Sequence, residues 1–183
     1  MKKVFYHVVT ERPMYLGQII TFDKNNHSGV YERIYKEKEA IDKIYNNEKV
    51  EITEDIAKAL REFALEEVRQ KEYPNYPSRL SCLYASNTQE EAEFWYKCFI
   101  EQGRPTFQIV KLEVDGPNFT GDAWNCFKGT SDIKDNYSKA RNYWSNNKNE
   151  RGEKPIYETL IAGRIKVVEI IKENKKDLNK YNN

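Results

Sequence analysis

Two titratable side chains, Glu158 and His7, stand where a β-strand would normally carry an aliphatic residue. Glu158 lies between Ile156 and Leu160, and the three share one face of an extended chain because strand side chains alternate with a period of two. His7 interrupts the apolar face of the first predicted strand in the same way. An unpaired charge on a buried face is costly, so each group is a satisfied core residue, part of a site, or a residue on the exposed face of an edge strand.

The three cysteines, Cys82, Cys98 and Cys126, form no recognisable motif with the two histidines. Neither CxxC nor a Cys/His ligand spacing occurs, so no disulfide framework, zinc site or other metal is expected. Cys82 and Cys98 fall in apolar patterns, which favours buried thiols over Cys/His nucleophilic catalysis. The glycine-rich phosphate loops and the GxSxG and HExxH motifs do not occur either.

The composition favours a soluble domain without a charged interaction surface. Of the 183 residues 32% are charged and 39% hydrophobic, and the net charge of +1 comes from interspersed acids and bases. Nucleic-acid and membrane surfaces need clustered positive charge, so neither partner is predicted. No apolar run approaches membrane-spanning length, and the short apolar start is no signal peptide. A reducing, cytoplasmic location is therefore expected.

The predicted elements run strands, helices and strands again, which indicates an α+β fold rather than a regular βαβ alternation. Strands are predicted at 3–10, 17–22, 80–86, 106–114 and 155–171, the last a hairpin turning at Ala162–Gly163. Helices are predicted at 30–46, from Thr53, from Thr88 and over 133–144. A doubly wound fold is the weaker alternative. One domain is predicted over residues 1–171, with a polar, flexible tail at 172–183.

The segment 115–129 carries Phe119, Trp124 and Phe127 among glycines and is interpreted as a loop. Its aromatic rings could line a ligand or a partner. The favoured interpretation is that they close the core.

Three stretches resemble the signatures of the ADP-ribosyltransferase superfamily. "FYHVV" is similar to its first strand, and "SCLYASNTQEEAEFW" to its second signature, in which a strand feeds a capped helix. "YETLIAGRIKVVEI" resembles the third, where a strand glutamate precedes a hairpin. With "ARNYW", they also resemble an uncharacterised bacterial family, a domain of unknown function that has been placed in this fold. The resemblance covers most of residues 3–171.

The resemblance implies a split mixed β-sandwich with helices packed around it and NAD in the cleft between two small sheets. His7 matches the histidine that binds a ribose of NAD, Tyr84 a tyrosine beside the nicotinamide, and Glu158 the glutamate that holds the nicotinamide-ribose 2′-hydroxyl. Arg79, just before the strand, is a candidate phosphate ligand, with a solvated loop arginine the favoured alternative.

The implied reaction is cleavage of the nicotinamide–ribose bond through an oxocarbenium-like state that Glu158 would stabilise. Ile156 stands where arginine-modifying members carry a second acid, and the Ser-Thr-Ser pattern is absent, so the acceptor stays unknown. Two functions remain open. The chain is either an NAD-cleaving ADP-ribosyltransferase or a non-catalytic ligand- or protein-binding domain, since fold does not imply function.

Overall fold

The computed structural model describes residues 2–23 and 25–182, and its strands form two antiparallel sheets. The strands are β1 (Lys3–Val9), β2 (Ile19–Phe22), β3 (Leu83–Ala85), β4 (Gln108–Asp115), β5 (Asn118–Asp122), β6 (Tyr157–Ile161) and β7 (Gly163–Glu173). The four-stranded sheet has the order β1-β4-β7-β2, and the three-stranded sheet has the order β3-β6-β5.

Six helices lie among the described residues, which together with the sheets confirms the α+β class. They are α1 (Gly29–Tyr35), α2 (Lys38–Tyr45), α3 (Glu54–Glu72), α4 (Gln89–Glu101), α5 (Ile133–Ser145) and α6 (Lys175–Asn182). None of the helices within 2–23 and 25–182 combines the length and the apolarity that crossing a bilayer requires.

The three-stranded sheet packs against a different layer on each face. One face carries Ala85 and Ile161, which join the core shared with the four-stranded sheet. The other face carries Phe119 and Leu160, which pack against α3 and α5. Because strand neighbours point to opposite sides, Glu158 shares the face of Leu160 and is directed towards these two helices. The core between the sheets lies behind it.

Helix α4 covers the outer face of the four-stranded sheet, where Ala92 and Tyr96 contact Val8. Helices α1 and α2 pack against α3 in a separate apolar cluster. The layers therefore follow the order α3 with α5, three-stranded sheet, four-stranded sheet, α4.

The chain passes between the two sheets at a glycine corner formed by 115–117 and 162–163. A Cβ on Gly116 would lie 2.1 Å from the carbonyl oxygen of Ala162, and one on Gly163 would lie 2.5 Å from that of Asp115. Gly163 also has a φ of +82°, a conformation that side chains disfavour. Only glycine at both positions lets the β4–β5 and β6–β7 connections lie this close.

Two helices begin at the residues that the sequence predicts. The Thr53 hydroxyl caps α3 by accepting from the N–H of Ile56, and the Thr88 hydroxyl caps α4 by accepting from that of Glu91 (both 3.2 Å). The predicted helix at 30–46 is instead two helices, α1 and α2. The segment 115–129, interpreted as a loop, contains strand β5.

The C-terminal residues predicted as a tail contain regular structure. The predicted boundary at residue 171 falls inside β7, and α6 follows. The carboxylate of Asp177 accepts from the N–H of Thr106 (3.0 Å), and Leu178 packs against the core. Met1 and Asn183, the ends of the predicted domain and tail, lie outside the described residues.

Candidate functional site

Glu158 is held through one carboxylate oxygen by two donors. Its Oε1 accepts from Nη1 of Arg79 (2.8 Å) and from the hydroxyl of Tyr143 (2.7 Å). The Arg79 Nη1 also donates to the Tyr143 hydroxyl oxygen (2.7 Å), so the three groups close a triangle. The side chain of Glu158 is 16% exposed and that of Arg79 6%. The carboxylate is therefore mostly buried, partnered and fixed on a strand.

A second carboxylate, Glu62 on α3, holds the other edge of Arg79. Its side chain is 2% exposed, and it accepts from Nε (2.9 Å) and Nη2 (3.4 Å) of Arg79. Arg61 donates to the same carboxylate through Nε (2.9 Å). Two guanidinium groups and two carboxylates thus balance in charge. We call Arg61, Glu62, Arg79, Tyr143 and Glu158 the ion cluster.

The pairing controls the charge of the buried members. Burial by itself raises the pKa of the Glu62 carboxyl, but Arg79 and Arg61 outweigh it and the net pKa is lowered. Burial opposes the charge of Arg79 too, yet Glu62, Tyr143, Tyr84 and Glu158 raise its pKa well above the ordinary value. Glu62 and Arg79 are therefore both charged at neutral pH.

Tyr84 contacts the ion cluster through its ring. The guanidinium carbon of Arg79 lies 5.3 Å from the ring centroid of Tyr84 and 5.0 Å from that of Tyr143, within the range of cation–π attraction. Burial raises the pKa of both phenols well above the ordinary value, so both stay protonated. The structure thus brings together three of the four predicted site residues, Glu158, Arg79 and Tyr84.

Arg79 is not the solvated loop arginine that the sequence favoured. It is 5% exposed, and its donors reach Glu62, Glu158 and Tyr143. That alternative is wrong because an arginine beside two carboxylates gains more from charge-assisted bonds than from water. Its predicted role as a phosphate ligand stays a prediction.

His7 lies beside β3, the edge strand of the three-stranded sheet. Its Nδ1 donates to the carbonyl oxygen of Tyr84 (2.6 Å), which fixes the tautomer and leaves Nε2 as the acceptor. Beside it the main chains of Tyr6 and Ser86 exchange two hydrogen bonds (2.9 and 2.7 Å) that join β1 to β3. Burial lowers the pKa of His7 to about 4, so the ring is neutral at pH 7.

The structure does not bring His7 and Glu158 into one cleft. His7 shares a strand face with Phe5 and Val9, which pack between the sheets, whereas Glu158 faces α3 and α5. The space between the sheets around Phe5 and Val9 is occupied by core side chains rather than by a cleft. His7 reaches the ion cluster through the main chain of Tyr84, and its ribose-binding role stays a prediction.

Sequence reasoning missed Glu62 and Tyr143. Glu62 lies three residues from both Ala59 and Leu65 on α3, so a carboxylate on that apolar face was a usable signal. Tyr143 falls in the quoted "ARNYW" stretch, but a tyrosine on an apolar helix face is indistinguishable from core.

A surface cavity of about 440 Å³ opens beside the ion cluster. It lies between the start of α3 and the segment 126–128, and its lining residues are Glu54, Ala57, Lys58, Arg61, Cys126, Phe127 and Lys128. Burial raises the pKa of the Cys126 thiol, with opposing effects from Arg79 and Arg61. The cavity and the ion cluster therefore share Arg61, and the Cys126 thiol in the cavity lining is near enough to be affected by both arginines.

The aromatic residues of 115–129 divide between two environments. Phe119 is 6% exposed in the core, as the favoured interpretation predicts. Phe127 packs at the edge of the same core and also lines the cavity. The Trp124 ring stacks under the Arg151 guanidinium, 4.2 Å from its carbon. The segment thus both closes the core and borders the cavity.

These features define an α+β protein of two antiparallel sheets with a charged cluster under one of them. The chain belongs to the family described as "Protein of unknown function (DUF2441)", whose model matches residues 5–173. This confirms the predicted membership in a domain-of-unknown-function family. No curated protein matches the chain significantly.

Proposed function

We propose that this protein is an ADP-ribosyltransferase-like enzyme that binds NAD, cleaves its nicotinamide–ribose bond and transfers ADP-ribose to an acceptor still to be found. Glu158 is the catalytic carboxylate. Arg79, Tyr143 and Glu62 are positioning residues, and Tyr84 borders the ligand.

One observation carries this proposal: Glu158 is anchored by one oxygen and open at the other. Oε1 takes both hydrogen bonds, from Arg79 and Tyr143, while no residue of the described ranges bonds to Oε2. A carboxylate held in this way can accept a hydrogen bond from a ribose hydroxyl without reorganising. Such preorganisation is the main source of electrostatic catalysis.

The reaction asks little covalent chemistry of the protein. The bond between the ribose C1′ and the nicotinamide nitrogen breaks, and its electron pair leaves with nicotinamide. The ribose then carries positive charge, which Oε2 of Glu158 stabilises until a nucleophile of the acceptor attacks C1′ and loses its proton. Glu62 offsets the charge of Arg79, so the arginine can hold Glu158 without cancelling its field.

A non-catalytic binding domain is the second candidate, and a specific observation favours it. The charged members of the ion cluster are paired with one another, and Glu62 and Arg79 are nearly inaccessible. Paired buried charges also occur as purely structural networks, and these perturb pKa values as active sites do. Under this alternative Glu158 stabilises the fold and no bond is cleaved.

Calorimetric titration with NAD and an assay of nicotinamide release distinguish the two. If the protein is the proposed enzyme, we expect saturable binding of NAD. We also expect Glu158→Gln to lower the rate of nicotinamide release about 10²–10³-fold, since that is the typical cost of losing one electrostatic contact. NAD affinity should survive this change. Glu169→Gln on β7 is the matched control, because that strand glutamate forms a surface pair with Lys111 (3.5 Å).

Tyr143→Phe is a second variant, chosen in case Glu158→Gln loses activity only because it unfolds. It keeps the ring in the core but removes one donor to Oε1, so release should fall while NAD binding persists. The unaltered protein is assayed for nicotinamide release with lysate as a source of acceptors. If it neither binds NAD nor releases nicotinamide, the enzyme is rejected in favour of the non-catalytic binding domain. Full activity in a folded Glu158→Gln protein would exclude Glu158 as the catalytic group.

A further inference from the structure

The cavity between α3 and the segment 126–128 has the charge of an anion site. Three of its lining side chains, Lys58, Arg61 and Lys128, are cationic, and one, Glu54, is acidic. Two further carboxylates, Glu62 and Asp55, pair with Arg61 and Lys58 but do not line the cavity, so its lining carries more cations than acids.

Arg61 is a fixed cation at the inner wall of the cavity. Its Nε and Nη2 bond to Glu62 (2.9 and 2.8 Å), and its Nη1 donates to the carbonyl oxygen of Phe127 (3.3 Å). The guanidinium is therefore held in one orientation before any ligand arrives. A fixed guanidinium loses little conformational entropy when it binds an anion.

Lys128 and Lys58 supply mobile cations at the mouth. Lys128 is exposed and lies near enough to Glu54 for its charge to act on that carboxylate. Lys58 pairs with Glu54 (2.8 Å) and Asp55 (3.6 Å) on the exposed side of α3. Exposed pairs of this kind are weak, so a phosphate group can replace Glu54 as the partner of Lys58.

The inner wall also offers apolar surface and a close-packed backbone. Phe127 and Ala57 line the cavity beside Arg61. A Cβ on Gly129 would lie 2.2 Å from the carbonyl oxygen of Ala57, so this glycine lets the segment after Lys128 lie directly on α3. The volume of about 440 Å³ lies in the usual range of small-molecule sites.

We propose that this cavity binds a small molecule through a phosphate or diphosphate group, with Arg61 as the fixed contact and Lys58 and Lys128 closing over the anion. Phe127 provides a face for an attached ring. Combined with the proposed function, the group would be the diphosphate of NAD. The assignment to NAD rests on the proposed function. It is suggested by the ion pairs that connect Arg61 with Glu62, Glu62 with Arg79, and Arg79 with Glu158.

Calorimetry of the full chain tests the site without any assay of catalysis. Inorganic diphosphate, ADP and adenosine are titrated separately; the first two should bind and the uncharged nucleoside should not. Tighter binding of ADP would assign a nucleotide, and equal binding would assign the free anion. Lys128→Glu should weaken ADP binding about tenfold or more by charge reversal. Lys97→Glu on α4 is the matched control, since Lys97 is exposed on the opposite layer.

Alkylation of Cys126, mapped by mass spectrometry, gives a second readout. ADP should slow modification of Cys126, which lines the cavity, and leave Cys98 on α4 unaffected. Adenosine that binds as well as ADP, or ADP binding that Lys128→Glu does not change, would overturn the anion site. Diphosphate binding without nicotinamide release would keep the site and reject the enzyme. Nicotinamide release that Lys128→Glu leaves unchanged would keep the enzyme and reject the assignment of this site to the diphosphate of NAD.

Discussion

Arg79 is the residue on which the candidate site depends. Its guanidinium is buried, which costs free energy, and the cost is met by Glu62 on one edge and by Glu158 with Tyr143 on the other. The position of Glu158 is therefore set by α3 and α5 as well as by its own strand. A change at Glu62, which has no contact with Glu158, should be felt at the candidate catalytic group.

Glu62→Gln should cost about 3 kcal/mol or more of the free energy of unfolding, because it leaves the charge of Arg79 only partly compensated in the interior. Urea unfolding followed by tryptophan fluorescence measures this, since Trp144 is in the same layer. Glu39→Gln, which removes an exposed pair with Lys43 on α2, is the control and should leave the midpoint nearly unchanged. Equal, small effects of the two substitutions would contradict a stabilising ion cluster.

The individual site residues were visible in the sequence to different degrees. Glu158 and His7 stood out because a charge or an imidazole interrupts an alternating apolar pattern, and both do occupy strands. Their separation by the three-stranded sheet could not be predicted, because alternation fixes a face within one strand but not which layer that face meets. The role of Arg79 could not be predicted either, because its carboxylate partners, Glu62 and Glu158, are 17 and 79 residues away in the chain.

At the scale of the elements, the strong periodic signals predicted the fold well and weak ones did not. Helices α3 and α4 begin at the predicted caps because Thr53 and Thr88 combine a capping hydroxyl with an apolar face behind it. Strand β5, with sequence "NFTGD", was missed because asparagine, glycine and aspartate are typical of turns. Its pairing with β6 comes from the glycine corner, which is a tertiary feature.

The glycine corner yields a prediction for these elements. Gly116→Ala should lower the free energy of unfolding by about 3 kcal/mol, near the upper end for overpacking, because a Cβ there meets the carbonyl oxygen of Ala162 at 2.1 Å and backbone must move. Gly29→Ala at the start of α1 is the matched control. Its nearest contact would be the flexible side chain of Glu11 at 3.2 Å, so little loss is expected. Chemical denaturation of both variants measures the two losses of stability. Equal midpoints for Gly116→Ala and Gly29→Ala would show that the glycine corner accommodates a Cβ without cost.

For the whole molecule, two joints hold the sheets together. One is the glycine corner between β4–β5 and β6–β7, and the other is the pairing of Tyr6 with Ser86 that His7 supports through the carbonyl of Tyr84. The second joint contains a titratable ring that is neutral in the folded protein. Stability of the whole domain should therefore depend on pH in a window set by His7.

We expect the free energy of unfolding to fall as the pH drops below 6.5, the ordinary pKa of histidine, towards about 4, its value in the fold. In this window the unfolded chain binds the proton and the folded chain does not, so acid favours unfolding by up to about 1.4 kcal/mol per pH unit. Glu62, whose pKa is lowered in the fold, loses its contribution to stability only below the ordinary carboxyl value of 4.5, so the upper part of the window belongs to His7.

His7→Asn keeps a donor near the Nδ1 position but cannot titrate, and it should flatten the dependence of stability on pH. His27→Asn, at the exposed histidine, should leave the slope in place. Urea midpoints measured across the window provide the comparison, and a slope that persists in His7→Asn would assign the acid sensitivity to other groups.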